Sequence, residues 1–245
     1  VPVATTENDA FAPTQAIREA GAVTVGDAFT VSVAFATAAT AQGAVERAKT
    51  LYQVLSSGIP ATEGAAGAGA VLETSLKAAT AGMANAEDAA KAITGTMNAY
   101  AETGLTATQA SDVLFQTVNR GTVEFAELSR LFGQVSGVAS SFGVSVEDIG
   151  AAIATITKAG LPAESAVSGV RQAIVSIARG PATKEAAKLL EELGIEFSTA
   201  ALQSKGFSGV LQEIVDKTGG SAAALTALFT DVDALKAVTK LAAGD

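Results

Sequence analysis

The chain has 245 residues, 49% of them hydrophobic and 17% charged, with a net charge of −9 at pH 7. That surplus of acids argues against a nucleic-acid platform, which needs clustered Lys and Arg to neutralise phosphates. Neither Cys nor His occurs, which removes disulfides, thiolate chemistry, the commonest general base and the commonest transition-metal ligand.

Such a length is enough for a sizeable core. Aromatics make up only 5%, so the apolar content is mostly Ala and Val, with Leu and Ile behind them. Small side chains let helices approach closely but bury little area per contact, at roughly 25 cal/mol per Å². Modest stability is expected for the isolated chain. The sequence opens on Val1 without Met and reads as a segment of something longer.

Residues 1–28 read as an irregular lead-in with Pro2, Pro13 and a polar run, followed by a short helix around Thr14 to Ala20. Ala28 to Val45 carries no charge and is long enough to span a membrane. Thr30, Ser32, Thr37, Thr40 and Gln42 make it too polar for that, and it reads as a buried helix with β-like character at Val31 and Val33. Glu46 to Ser56 follows as a helix that stops at Gly58-Ile59-Pro60. Gly64 to Gly69 faintly resembles a phosphate loop, but lacks a preceding strand and a Lys-Ser/Thr pair, so it reads as the weak start of the helix through Leu72 and Leu76. Asn85-Ala86-Glu87-Asp88 predicts a helix N-terminus, a capping side chain followed by acids that face the positive end of the dipole. That helix runs to Tyr100.

Phe125, Leu128, Leu131, Phe132, Val135, Val138, Ala139 and Phe142 form the stripe of one helix face, a core seam or a subunit interface. Ile149, Ile153 and Ile156 repeat it, as do Val167, Val170, Ile174 and Ile177. The three helices can hide these faces against one another. Gly133-x-x-x-Gly137 marks close helix contact, within the chain or between subunits. Gly58-Ile59-Pro60, Gly104-Leu105-Thr106, Gly143-Val144-Ser145 and Gly160-Leu161-Pro162 share one turn. A left-handed Gly ends one helix, an aliphatic packs back, and Thr, Ser or Pro starts the next. Thr106 to Gln109 and Ser145 to Asp148 carry capping-box spacing. Thr183 to Leu193 is a charged helix closed by Gly194. Ile195-Glu196-Phe197 reads as extended, Phe207 to Ile214 as a short helix, and Leu225 to Leu235 as a last helix.

Glu87-Asp88, Glu147-Asp148 and Glu191-Glu192 are the acid pairs that could be offered as catalytic. Adjacent helical residues point about 100° apart, so a solvated face or a dipole partner is the better account. No catalytic, cofactor-binding or metal-ligating residue is singled out.

The run Ala187-Lys188-Leu189-Leu190-Glu191-Glu192-Leu193-Gly194-Ile195-Glu196-Phe197-Ser198, followed by Ser204-Lys205-Gly206-Phe207, resembles the core region of phage tail tape measure proteins. Leu51 to Gly58, Met97 to Tyr100, Ser111 to Phe115, Gly121 to Leu128, Gly150 to Thr157 and Thr218-Gly219-Gly220 are similar to the same family, in the same order. The resemblance covers roughly 29–245. It implies a structural virion component in the tail tube lumen or tip, made in the host cytoplasm, that sets tail length and leaves ahead of the DNA. Its implied partners are tail assembly chaperones, tail tube and tail-tip or baseplate proteins, further copies of itself, and the host membrane on ejection.

The expected fold is all-α, short helices joined by tight Gly turns with minor extended segments, in a helical module over 29–245. A homo-oligomer about the tail axis, a trimer foremost, is expected, with no enzyme activity, cofactor or metal. A membrane-active, pore-forming helical protein is the alternative. A single straight helix of this length would span roughly 370 Å at about 1.5 Å per residue. The Gly turns forbid it, which places any ruler elsewhere in a longer protein.

Overall fold

The structure is a computed structural model that describes residues 22–24, 30–32, 41–62, 64 and 67–243. The expected helix around Thr14 to Ala20 lies outside these residues. The fold is all-α. The described residues form twelve α-helices and one short 3₁₀ turn, Ala101–Thr103. They are α1 (Ala41–Ser56), α2 (Ala68–Ala81), α3 (Ala86–Ala99), α4 (Ala107–Arg120), α5 (Phe125–Leu131), α6 (Gly133–Ser141), α7 (Val146–Lys158), α8 (Ala163–Arg179), α9 (Lys184–Leu193), α10 (Thr199–Thr218), α11 (Ala222–Leu228) and α12 (Val232–Ala242). Ahead of them β1 (Ala22–Thr24) pairs antiparallel with β2 (Thr30–Ser32), Val23 opposite Val31. The buried helix expected over Ala28 to Val45 is therefore replaced at Thr30–Ser32 by a strand, as β-branched Thr30 and Val31 favour, while Ala41 to Val45 are helical and residues 33–40 lie outside the described ones. No helix of the described residues is long and apolar enough to cross a membrane.

Helix α8 is the hub. It packs most extensively on α12 and also touches α5, α6, α7 and α10, while α1, α2 and α3 pack together and α4 lies on α7. The predicted stripes converge there. Phe132, Val135, Ile149, Ile153, Ile156, Val170, Ile174 and Ile177 are each 0% exposed and belong to one continuous core. The first stripe is divided at Phe132, whose φ of −58° and ψ of −35° remain helical, so it occupies α5 and α6. The last predicted helix is likewise two, because the Asp231 carboxylate accepts the N–H groups of Asp233 and Ala234 and starts α12 afresh.

The recurring turn is built as its residue pattern requires at Gly104, Gly143 and Gly160, where Thr106, Ser145 and Pro162 precede the next helix, whereas Pro60 starts no helix and the next described one opens at Ala68 behind Gly67. Gly58, Gly104, Gly143 and Gly160 have φ of 84°, 70°, 74° and 92°. After two of these turns, the N–H groups of Val144 and Leu161 return to Ala139 and Ile156 carbonyls five residues back, the helix-ending bond of a left-handed C-terminal residue. Thr106 and Gln109 complete a capping box, and Asn85 caps α3 through Glu87 N–H at 2.7 Å.

Hydroxyls enter the core without needing a neighbouring helix. Thr50, Ser75, Thr94, Thr96, Thr117 and Thr157 are buried, and each donates to the carbonyl four residues back at 2.7–2.8 Å. The close crossings use small residues instead. A Cβ on Gly169 of α8 would fall 2.5 Å from Ala237 Cβ and 2.6 Å from the Asp233 carbonyl of α12.

Candidate functional site: the joint between the two signature turns

The most distinctive sequence segments, Leu193 to Ser198 and Ser204 to Phe207, are linked in space through Lys217 and Glu213. Helix α9 ends at Gly194, left-handed at φ 60°, and Ile195 N–H returns to Leu190 O at 2.9 Å. Ile195 and Phe197 then turn inward and are buried, with the Phe197 ring 5.5 Å from Phe229. The three residues make no strand, so the extended segment expected here is an irregular link without a sheet partner. Ser198 caps the next helix through Ala201 N–H at 3.0 Å.

Helix α10 is two helical arms joined at Gly206, whose φ of 72° and ψ of 170° leave the helical region. Across this joint Lys205 Nζ sits 2.6 Å from Glu213 Oε2, and Lys217 Nζ sits 2.8 Å from Glu213 Oε1. The same ammonium donates to the Gly194 carbonyl at 2.7 Å. One acid thus ties the two turns together. Hydrogen bonds from Lys205 and Lys217 hold the Glu213 carboxyl below the usual glutamate range.

The break at Gly206 leaves the second arm with unpaired N–H groups. Asp148 of α7 supplies the acceptor. Its carboxylate takes Phe207 N–H at 3.1 Å and Ser208 Oγ–H at 2.9 Å. A Cβ at Gly206 would lie 2.7 Å from that carboxylate oxygen. The capping box expected at Ser145 to Asp148 is accordingly half formed. Ser145 Oγ accepts Asp148 N–H at 3.1 Å, but the acid faces α10 instead of its own helix. Behind this corner the Tyr100 hydroxyl donates to Val144 O at 2.8 Å. Burial first, then the charges of Glu147 and Asp148, push that phenol above the usual tyrosine range.

Asp148 is engaged as described, and both it and Glu147 line an open cleft of about 210 Å³ between α4 and α7, with Gln116, Thr117 and Arg120. Glu192 pairs with Lys188 at 3.6 Å. Glu87 and Asp88 sit in the first turn of α3. Among the described residues no group of three or more Asp or Glu could hold a metal ion. Gly133 and Gly137 are exposed, and beyond their own helix no atom of the described residues lies within 4 Å of a Cβ built at either, so the described residues make no close contact through that motif.

Sequence spacing missed both the trans cap and the Lys205–Glu213–Lys217 bridge. Eight residues separate Lys205 from Glu213, a span of about 12 Å along a straight helix, so only the break brings them together.

The family described as phage-related minor tail protein matches residues 12–230. A curated relative, the probable tape measure protein of Clostridium phage phiCD119, is 32% identical over 103 residues. Those residues are 42% of this chain and 11% of that protein, so the match spans about a tenth of the relative's length. No solved structure matches. With most of its length matched by one family, the chain belongs to the phage-related minor tail proteins.

Proposed function

We propose that this chain is a folded, non-enzymatic module of a tape measure protein. In this reading it lies in the lumen or tip of the tail tube, takes part in setting tail length during assembly, and leaves ahead of the DNA. The observation that carries it is the family match over residues 12–230 together with a relative that bears the tape measure name. The ordered signature segments support the same reading. At the joint at Gly206 one acid is held by two ammonium groups and the other by a backbone N–H and the Ser208 hydroxyl, contacts that suit a structural tie.

Several copies about the tail axis, a trimer foremost, would add interface to a core rich in small side chains. Closed symmetry repeats the same modest contact around the ring, and stability gained that way rises with protomer concentration. Tail assembly chaperones and tube and tip proteins are the partners this role calls for.

The test is an in-frame deletion of residues 41–243 in the producing phage, with electron microscopy of the tails and mass spectrometry of purified particles. The expected result is absent or aberrant tails, and the peptide present in parental particles. Normal tails of parental length from the deletion would overturn the assignment. Light scattering and thermal melts over a hundredfold concentration range test the oligomer separately, and a stable monomer whose melting does not move would reject it.

A further inference from the structure

The two ends of residues 194–206 are fastened to one pair of side chains. At one end Lys217 Nζ donates to the Gly194 carbonyl at 2.7 Å, and at the other Lys205 Nζ lies 2.6 Å from Glu213 Oε2. Glu213 and Lys217 stand one turn apart on the second arm of α10 and are themselves joined at 2.8 Å. Just past the second end, Asp148 of α7 accepts Phe207 N–H at 3.1 Å. Each end also turns at a glycine of positive φ, Gly194 at 60° and Gly206 at 72°. Glycine lets the chain pivot there without the steric cost of a side chain.

Between these ends the segment has two sides. Ile195, Phe197, Ala201 and Leu202 are buried, and the Phe197 ring lies against Phe229. Glu196, Ala200 and Ser204 are exposed. Few apolar anchors and solvent-reached polar ties mark the parts of a fold that open most easily. The Lys217 and Glu213 side chains are 36% and 20% exposed, so water competes for their bridge. The shared fastening also couples the ends. Loss of Glu213 releases Lys205 directly and leaves Lys217 without the acid that aims it at Gly194.

We infer that residues 194–206 form a strap, buckled at both ends on Glu213 and Lys217, that opens as one unit ahead of the rest of the fold. Opening uncovers Phe229, while α9 keeps its contact with α11 and the second arm of α10 keeps its buried face of Phe207, Val210 and Ile214. The inference goes beyond the tail role proposed above and does not depend on the number of copies.

Hydrogen exchange followed residue by residue in the full chain tests it. In the parent, the amides of Ile195, Ala201, Leu202 and Phe207 should share one opening equilibrium, more populated than that of Val170 and Ile174 in α8. Glu213→Ala should speed all four by one factor, about fivefold for a two-lysine bridge at a partly exposed site. Asp148→Ala should carry through to Ile195 at the far end, and Asp148→Asn, which keeps an oxygen acceptor, should do so less. Lys188→Ala, whose ion pair with Glu192 lies outside the strap, should leave the four amides unchanged. Scattered rates among the four, or a change at one end felt only at that end, overturn the strap. So does exchange at these amides no faster than in α8. The parent alone separates a common opening from a scattered one, so a variant that fails to fold does not rescue the idea.

Discussion

Replacing Gly169 by alanine sets two effects of opposite sign against each other. Within a helix, alanine is favoured over glycine by about 1 kcal/mol. At Gly169, however, the new Cβ would lie 2.5 Å from Ala237 Cβ and 2.6 Å from the Asp233 carbonyl. Neither obstacle is the end of a flexible side chain, so α12 as a whole has to move. Such overpacking costs about 1–3 kcal/mol, and the shift also loosens Ala234, Ala237 and Val238, each 0% exposed. The clash wins, and Gly169→Ala should destabilise by about 1–2 kcal/mol net. Gly95 in α3 is the matched control, with no atom within 4 Å of its Cβ position. There alanine should stabilise by about 0.5–1 kcal/mol. At roughly 2–4 °C per kcal/mol for a chain of this size, the two variants should melt about 3–12 °C apart, Gly95→Ala higher. Far-UV circular dichroism melts, checked by urea titration, measure this directly. If Gly169→Ala melted with or above Gly95→Ala, the close α8–α12 crossing would be wrong.

Asp148→Ala removes the acceptor for Phe207 N–H and Ser208 Oγ–H, and should cost about 1–3 kcal/mol. Hydrogen exchange at Phe207 should speed up more than at the buried amides of α8, and equal protection in the variant would refute the trans cap. Gly143→Val and Gly160→Val should each cost at least about 1 kcal/mol, since both have positive φ. Gly143 should cost more, because its Cβ would also meet Gln203 Cγ at 2.7 Å whereas Gly160 faces open space, and overlaid melts of either variant with the parent would count against the turn geometry. For Glu213 the hydrogen bonds from Lys205 and Lys217 depress the folded pKa below the ordinary glutamate value, so its contribution is present above that ordinary value and fades as pH falls through the folded one. Glu213→Gln should flatten that part of an acid stability titration, and an unchanged profile would dismiss the bridge.

Much of the helical framework was legible because its signals are local. Glycine, an aliphatic and a cap residue fix each turn at Gly104, Gly143 and Gly160, and 3.6-residue periodicity picked out Ile149, Ile153 and Ile174 as core. What escaped reading depends on chain-distant competition. The spacing from Ser145 to Asp148 suits a local capping box, yet the carboxylate goes to the N–H that Gly206 frees about sixty residues later. The break between α11 and α12 was hidden because Leu225 to Leu235 keeps helical spacing through it, and only the Asp231 cap marks the restart. Gly133 and Gly137 have the spacing of a packed seam, but spacing gives no sign of which way a seam faces, and here it faces outward. Thr30–Ser32 lies in a stretch too mixed for one period to dominate, and pairing with Ala22–Thr24 decided it.

The buried hydroxyls of Thr50, Ser75, Thr94, Thr96, Thr117 and Thr157 have a mechanical corollary. Each is bonded to its own helix, so sliding two helices apart strips none of these groups of its acceptor. Resistance to shear between helices falls instead on apolar contact and on a few cross-links, such as Asp148 to Phe207 and Lys217 to Gly194. Apolar contact is short-ranged and without direction, so it yields gradually under load, whereas a lattice of directional bonds fails all at once. A bundle made this way behaves under traction less like a riveted frame than like a stack of greased rods pinned at one corner.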